Sequence, residues 1–599
     1  MNILTGVSAK LKNHQFKIFT LLIIFLLGLF LRLYRLDASP YGALVDEMHF
    51  GYLAYSLIET GADEHGQSWP LVFKGFGDYK LPMYTYLLIP VVKWLGLSVI
   101  SIRLPSVFFG SLLALAIYSL ARSLRFPVWS SILAAFLTAV SPWPFFLSRF
   151  GLESNIGLFF WVVGLTSLIK TQDKQPLWRL ILPGFILALT WYSYIAYRPI
   201  SLVVLMVYLS YQYVFKKINK KTVLVVVISF LLAISPMLLP SISGANTARI
   251  SQVGILADQS SVSLVIDEKR TFCDWSLPKL VCYASWNKPV LAFQTVVNRF
   301  LMIFSPEYLV VRGEGPEKYS TVEGFGQFAI PLYPFFLLGL FQLIVGRNHR
   351  HSNFKIQPKS KFLILCGLLV SVLPNIIASD PQKIRLSAAW PFFVLIIITG
   401  LNYAWSLWQQ RLSLWQNPVK WLVVVKYLPV LVLITWFTFQ TTQYFLDFYF
   451  IHTQKNDKLY TSYVRDLMPF LGQYDNTHRL VITPMMSDPV MFYAFYNQIK
   501  PKYYQQNVKL GPLESDGWQH AVALGNFQVA NAQLPDVACQ ALLNNQPTLF
   551  ITDQQYSPKL KPVDQFTSMN GVHTYAYVYD ALEFAKNNKL DCGSDVSQH

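Results

Sequence analysis

The sequence predicts a polytopic α-helical membrane protein of about eleven transmembrane helices, with a C-terminal extracytoplasmic α/β domain. Three observations predict it. The 599 residues are 53% hydrophobic, 16% aromatic and only 14% charged, against roughly 25% charged in an ordinary soluble domain, and mean hydropathy is +0.37. Apolar runs of about 18 residues or more recur along the first three quarters, each long enough to cross a bilayer. After residue 444 these runs stop, and short strand-like and helix-like segments replace them. A disordered chain and a single cytosolic enzyme are excluded, because the apolar surface is too large to stay solvated.

The expected spans are 17–34, 100–121, 127–146, 155–170, 177–195, 199–215, 222–240, 326–345, 362–379, 386–407 and 419–441. The first follows a short basic segment without a small-residue cleavage site, and reads as a retained span and not a cleaved signal peptide. Net charge is +17. A basic balance often marks nucleic-acid binding, but here the cations sit in short loops between apolar runs, so no nucleic acid is expected. With residues 1–16 in the cytoplasm, the inner segments hold nineteen Lys and Arg, and the short outer loops hold four, Arg149, Arg198, Lys383 and Arg385. The positive-inside rule therefore chooses a cytoplasmic N-terminus and an outer C-terminus in the cell membrane.

That topology puts three larger segments outside: about 35–99, about 241–325, and 444–599. The first two belong to a transmembrane domain over 17–443. Within the first, LPMYTYLLIPVVKWLG (81–96) predicts an interfacial helix with Tyr and Trp at headgroup depth. In the third, HRLVITP (478–484) and PTLFIT (547–552) predict buried strands, VHTYAYVY (572–579) a half-exposed one, and SDPVMFYAFYN (487–497) a helix with Pro in its first turn. The five cysteines match no zinc spacing. Cys273 and Cys282 share one outer segment, Cys539 and Cys592 another, and Cys366 lies in a span. Two disulfides or four free thiols both fit.

Several residues can carry chemistry. Asp46 and Glu47 follow the first span. A carboxylate there can serve as general base toward a hydroxyl or bind a cation, or the two are a solvated acidic pair. Lys80, in DYKLP (78–82), suits a lipid phosphate or snorkels. In the tight turn LSRFGLESN (147–155), Arg149 suits a phosphate and Glu153 a sugar, or Glu153 caps the next helix or pairs with Arg149. Lys383 and Arg385 in SDPQKIRLSAAWP (379–391), Arg198 and Arg312 are outer cations that run against the topology bias, which favours an anion contact. The stretch 307–328 is rich in glycine and charge and suits a loop over a site. Asp63, Glu64 and His65 are consecutive and read as a solvated loop, not a metal cluster. His452 and His478 have no partner visible in the sequence.

In order, these features resemble one family. A span ending in FLRL leads to Asp46-Glu47, then Lys80-x-Pro82 with aromatics, IRLPSVFFGSL (102–112) and SRFGLESN. This resembles the C-type (GT-C) membrane glycosyltransferases, in the branch of protein O-mannosyltransferases and the lipid A aminoarabinose transferase. The resemblance covers roughly 15–440. It implies inverting transfer of a sugar from a polyprenyl-phosphate donor to a protein, glycan or lipid acceptor on the outer face. It implies Asp46 as catalytic base or acceptor-orienting carboxylate with Glu47 its acidic neighbour, and Lys80 on donor phosphate, and Arg149 matches the arginine of the second outer loop. Glu153 stands where many members have Asp, and Arg385 matches a basic residue before a late span. No cofactor is required by this scheme, although the acid pair could hold a divalent cation. The alternative is a transporter or flippase of lipid-linked sugars, which calls for charges at mid-membrane depth and paired repeats.

Overall fold

The computed structural model describes residues 14–75, 79–242, 259–273, 278–315, 318, 320–346, 356–378, 380–413, 420–513, 519–557, 559–590 and 592. Asp78, the basic residues before 14, Arg347, Arg350 and Lys355, and positions 243–258 of the segment expected outside lie outside the described residues. Two compact units are present. One comprises Met1–Tyr34 and Ser106–Phe445, the other Arg35–Pro105 and Leu446–His599. The sequence predicts a first outer loop belonging to the transmembrane domain and a separate C-terminal domain. In the structure these two segments form a single unit.

In the first unit a helix, or a helix pair, stands at each expected span. Five described helices are long and apolar enough to cross a membrane: His14–Leu33, Val99–Ser123, Lys220–Leu238, Pro358–Ala378 and Ser387–Gln410. A sixth follows if a bent pair counts as one. The larger expected number also took in shorter apolar helices such as Glu153–Ile169, which at 1.5 Å per residue extends about 25 Å against a hydrocarbon core of about 30 Å. The bent pair is Val128–Val140 with Pro142–Arg149, at 51°. Its cause is local. Ser141 precedes Pro142, and a residue before proline is driven from the helical region; Ser141 is extended, with φ −71° and ψ 144°. The expected single span 127–146 is therefore broken, and the second piece ends on Arg149.

Trp143, Trp161 and Trp390 are fully buried in this unit. Each indole N–H finds an acceptor, in the Lys383 carbonyl, the Ala388 carbonyl and the Thr138 hydroxyl, as a buried indole requires. The helices Tyr333–Ile344 and Trp390–Ser413 touch backbone to backbone. A side chain at Gly339 would collide with the Ile396 carbonyl, and one at Gly400 with that of Phe335, the close approach that small residues allow between membrane helices. Cys273 and Cys282 form a disulfide, with Cα atoms 5.7 Å apart.

The second unit holds a seven-stranded sheet: β3 Arg479–Ile482, β4 Val508–Leu510, β5 Ala521–Leu524, β6 Phe527–Val529, β7 Thr548–Thr552, β8 Asp564–Thr567 and β9 Thr574–Asp580, after a two-stranded ribbon of β1 Phe73–Lys74 and β2 Tyr79–Lys80. The sheet order is β4-β5-β6-β3-β7-β9-β8. β3 runs parallel to both neighbours, which explains its continuous apolar run: a central parallel strand is covered on both faces. Val481, Phe550 and Tyr579 pack with Leu534, Val537 and Ala538 in the core. The expected helix at 487–497 is Pro489–Tyr496, with proline at its start. The expected interfacial segment 81–96 forms the helix Pro82–Leu95. Cys539 and Cys592 are bonded, Cα atoms 5.4 Å apart.

Candidate active site

Asp46 and Glu47 lie in the first turn of the helix Val45–Thr60, where the helix dipole favours negative charge. One turn of helix sends them to different environments. The Asp46 side chain is half exposed and its Oδ1 meets the Nζ of Lys80, whose side chain is only 7% exposed. Lys80 ends β2, opposite Phe73, and its ammonium lies 5.7 Å from the centre of the Phe50 ring, a cation–π distance. The two residues are 34 positions apart in sequence, and the structure brings them together.

Glu47 is fully buried. Its Oε1 accepts from Arg103 Nε at 2.9 Å, and its Oε2 from Arg103 Nη2 at 3.1 Å and from the Leu44 amide at 3.0 Å. Arg103, also fully buried, donates further to the carbonyls of Leu36, Pro40 and Gly42 at 3.0, 3.0 and 2.7 Å. Those bonds use all five guanidinium N–H groups. Glu47 is thus no solvated acid, and its oxygens are held by a cation and an amide. Each carboxylate of the pair faces a cationic side chain, Lys80 for Asp46 and Arg103 for Glu47. Among the described residues no group of three or more His, Cys, Asp or Glu is arranged to hold a metal.

The remaining candidates lie in the other unit. Arg149 is fully buried and its Nη1 donates to the Arg32 carbonyl. Arg32 is itself buried; Nε donates to Ser148 Oγ at 2.6 Å, and Nη1 to the carbonyls of Gly28 and Ala139 at 3.0 Å each. Glu153 opens the helix Glu153–Ile169 and is partly exposed. Two residues on, Asn155 Nδ2 donates to the Ser106 carbonyl at 2.8 Å. Arg385 keeps a buried Nη1 with no hydrogen-bond partner among the described residues, which suits an anion.

Lys383 differs from its expected role. It is buried, its Nζ donates to the Ser320 carbonyl and its amide to Glu314 Oε1, while Ser320 Oγ donates to Glu314 Oε2 at 2.6 Å. It therefore clasps the 307–328 loop to the 380–389 turn, and burial pushes its ammonium down to about 8, with Glu314 pulling the other way. Arg312 makes a surface pair with Glu307 at 3.2 Å. Arg198 donates to the Trp191 carbonyl at 3.4 Å. Asp63 and Glu64, expected in solvent, are 1% and 2% exposed. Glu64 Oε1 sits 2.8 Å from His49 Nε2, and the Asp63 carbonyl accepts from Gln505 at 2.7 Å; the covering chain comes from the C-terminal segment. His452 contacts Tyr460 Oη at 3.0 Å, and His478 lies 2.8 Å from Thr477 Oγ1.

Sequence reasoning passed over Arg32 and Arg103. The signal was available, since both interrupt apolar runs, FLRL and IRLPS, where a cation needs a buried partner or a function.

Residues 22–191 match the family model described as dolichyl-phosphate-mannose-protein mannosyltransferase. No curated protein sequence matches. Among solved structures, the Archaeoglobus fulgidus oligosaccharyltransferase tethered with an acceptor peptide is similar at a TM-score of 0.47 and 12% identity, over 81% of this chain and 64% of that one. The chain thus spans less than two thirds of that relative. ArnT from Cupriavidus metallidurans bound to undecaprenyl phosphate gives a TM-score of 0.49 and 10% identity, over 97% of this chain and 99% of that one. The archaeal oligosaccharyltransferase AglB from Archaeoglobus fulgidus, with an inhibitory peptide and a dolichol-phosphate, gives 0.47 and 13%, over 91% and 70%. The family match spans Asp46, Glu47, Lys80, Arg103, Arg149 and Glu153, and it bears out the resemblance read in the sequence: over residues 22–191 the chain is similar to membrane glycosyltransferases that draw on a polyprenyl-phosphate sugar.

Proposed function

We propose that the protein is an inverting glycosyltransferase that moves a sugar from a polyprenyl-phosphate donor to an acceptor hydroxyl on the outer face of the membrane. The observation that carries this reading is the contact of the half-exposed Asp46 carboxylate with the buried Lys80 ammonium, inside the stretch that matches the mannosyltransferase family. A carboxylate beside a cation is what the reaction needs: a base for the hydroxyl, and a positive charge for the leaving phosphate.

In the step, the acceptor oxygen attacks the anomeric carbon from the face opposite the phosphate. Asp46 takes the hydroxyl proton. The bond from the anomeric carbon to the phosphate oxygen breaks, and its electron pair leaves on the polyprenyl phosphate. Lys80 stabilises that charge, and Arg149 and Arg385 are the further cations proposed for the donor. The donor phosphate competes with Asp46 for Lys80, so donor binding releases the carboxylate toward the acceptor. Glu153 is assigned to the sugar. Glu47 is given a holding role, because Arg103 and the Leu44 amide engage both its oxygens. The scheme needs no metal or nucleotide.

The test is transfer by the full chain in lipid, from a panel of radiolabelled polyprenyl-phosphate sugars to a cell-envelope acceptor extract. Label in an acceptor supports the reading and identifies donor and acceptor class. Labelled lipid crossing sealed vesicles without transfer would point to a flippase.

A further inference from the structure

The loop before the Asp46 helix has no ladder of its own, and six of its carbonyls accept from side chains. Arg103 takes those of Leu36, Pro40 and Gly42. Two more go to a residue 428 positions away from Asp37: Arg465 Nη1 donates to the carbonyls of Asp37 at 2.8 Å and Tyr41 at 3.0 Å, and Nη2 to Asp37 Oδ2 at 2.9 Å. The Arg465 guanidinium also lies 4.2 Å from the centre of the Tyr41 ring, and Tyr41 Oη donates to the neighbouring Asp466 at 2.9 Å. Thr461 Oγ1 donates to the Ala43 carbonyl at 2.7 Å. At Gly42 a side chain would collide with the Tyr460 carbonyl, so loop and C-terminal segment meet at backbone distance. The helix that carries Asp46 begins at Val45.

We infer that Arg465 is a positioning residue for the proposed transfer: with Arg103 it holds the loop of residues 36–43 by its carbonyls, and so fixes the start of the helix that carries Asp46. An isolated exposed ion pair contributes little. Here the planar fork reaches two carbonyls and a carboxylate at once, a geometry that lysine cannot copy. The inference rests on the Asp46 assignment, and gives the C-terminal segment a part in the chemistry that its own residues do not perform.

Arg465→Gln and Arg465→Lys, in the full chain in lipid, test it by amide exchange and by kinetics. Both are expected to raise exchange about tenfold or more over 36–48, while β3 and β7 keep their protection. Both are expected to lower kcat by about ten- to hundred-fold, with KM for the donor within about twofold of the parent. Parent-like exchange over 36–48, or an unchanged kcat, overturns it. If β3 and β7 lose protection as well, Thr461→Val decides: removing only the bond to Ala43 should raise exchange over 36–48 about threefold, and no change there overturns the inference. If the parent protein transfers no sugar, the proposed function fails, and amide exchange alone decides whether Arg465 holds the loop.

Discussion

Glu47 and Arg103 form a fully buried ion pair, 2.9 Å from Nε to Oε1, in which neither side chain keeps contact with solvent. Removing one partner of such a pair leaves an uncompensated buried charge, at a cost of about 3–5 kcal/mol. Glu47→Ala and Arg103→Ala are therefore expected to lower the unfolding temperature in lipid sharply. Asp46→Asn, next in sequence but half exposed, should leave it nearly unchanged. Equal effects at positions 46 and 47 would contradict the division of roles between the two acids.

Lys80 is expected to govern donor affinity. Lys80→Met should weaken binding of a polyprenyl phosphate by about tenfold or more, as loss of a charge-assisted contact implies. Titration of the lipid into the purified protein measures it. Unchanged affinity would remove Lys80 from the phosphate site.

Lys383 gives a pH signature. Burial pushes its ammonium from 10.5 down to about 8, so between these values the unfolded chain binds a proton that the folded protein has released. Stability from this group must therefore rise with pH across that window, by about 3 kcal/mol in total, while below pH 8 the full penalty of a buried ammonium remains. Thermal unfolding at pH 7 to 10 should show a rise that Lys383→Met flattens. Parallel profiles for parent and variant would contradict the burial argument.

The bond between Cys539 and Cys592 closes a segment of 53 residues. On the chain-entropy account such a loop contributes about 4 kcal/mol. Replacing both cysteines by serine should lower the unfolding temperature of the C-terminal segment and expose β7 and β9 to exchange, with the transmembrane helices unaffected.

Much of this was legible in the sequence, and the exceptions have physical causes. Apolar runs place helices at the expected spans, because a helix in lipid needs little beyond length and hydropathy. The break at Ser141-Pro142 was written in the sequence as SPWP, but an apolar run read as a whole conceals it. β3, β7 and the helix Pro489–Tyr496 were visible because buried parallel strands and proline-started helices have local signatures. In sequence Asp46 and Lys80 are separate candidates, and only the fold shows that they touch. From sequence Glu47 reads as a companion acid, because its partner Arg103 lies 56 positions away. Asp63 and Glu64 looked solvated for the same reason: Gln505, which reaches the Asp63 carbonyl, lies 442 positions away. Local charge patterns predict exposure only where no distant segment returns to cover them.

The most direct test of the central claim is transfer by Asp46→Asn in lipid, with donor-lipid binding measured on the same preparation. The account predicts that transfer is lost while polyprenyl-phosphate binding and the unfolding temperature stay near those of the parent. Transfer at the parent rate would contradict it and remove Asp46 as the base.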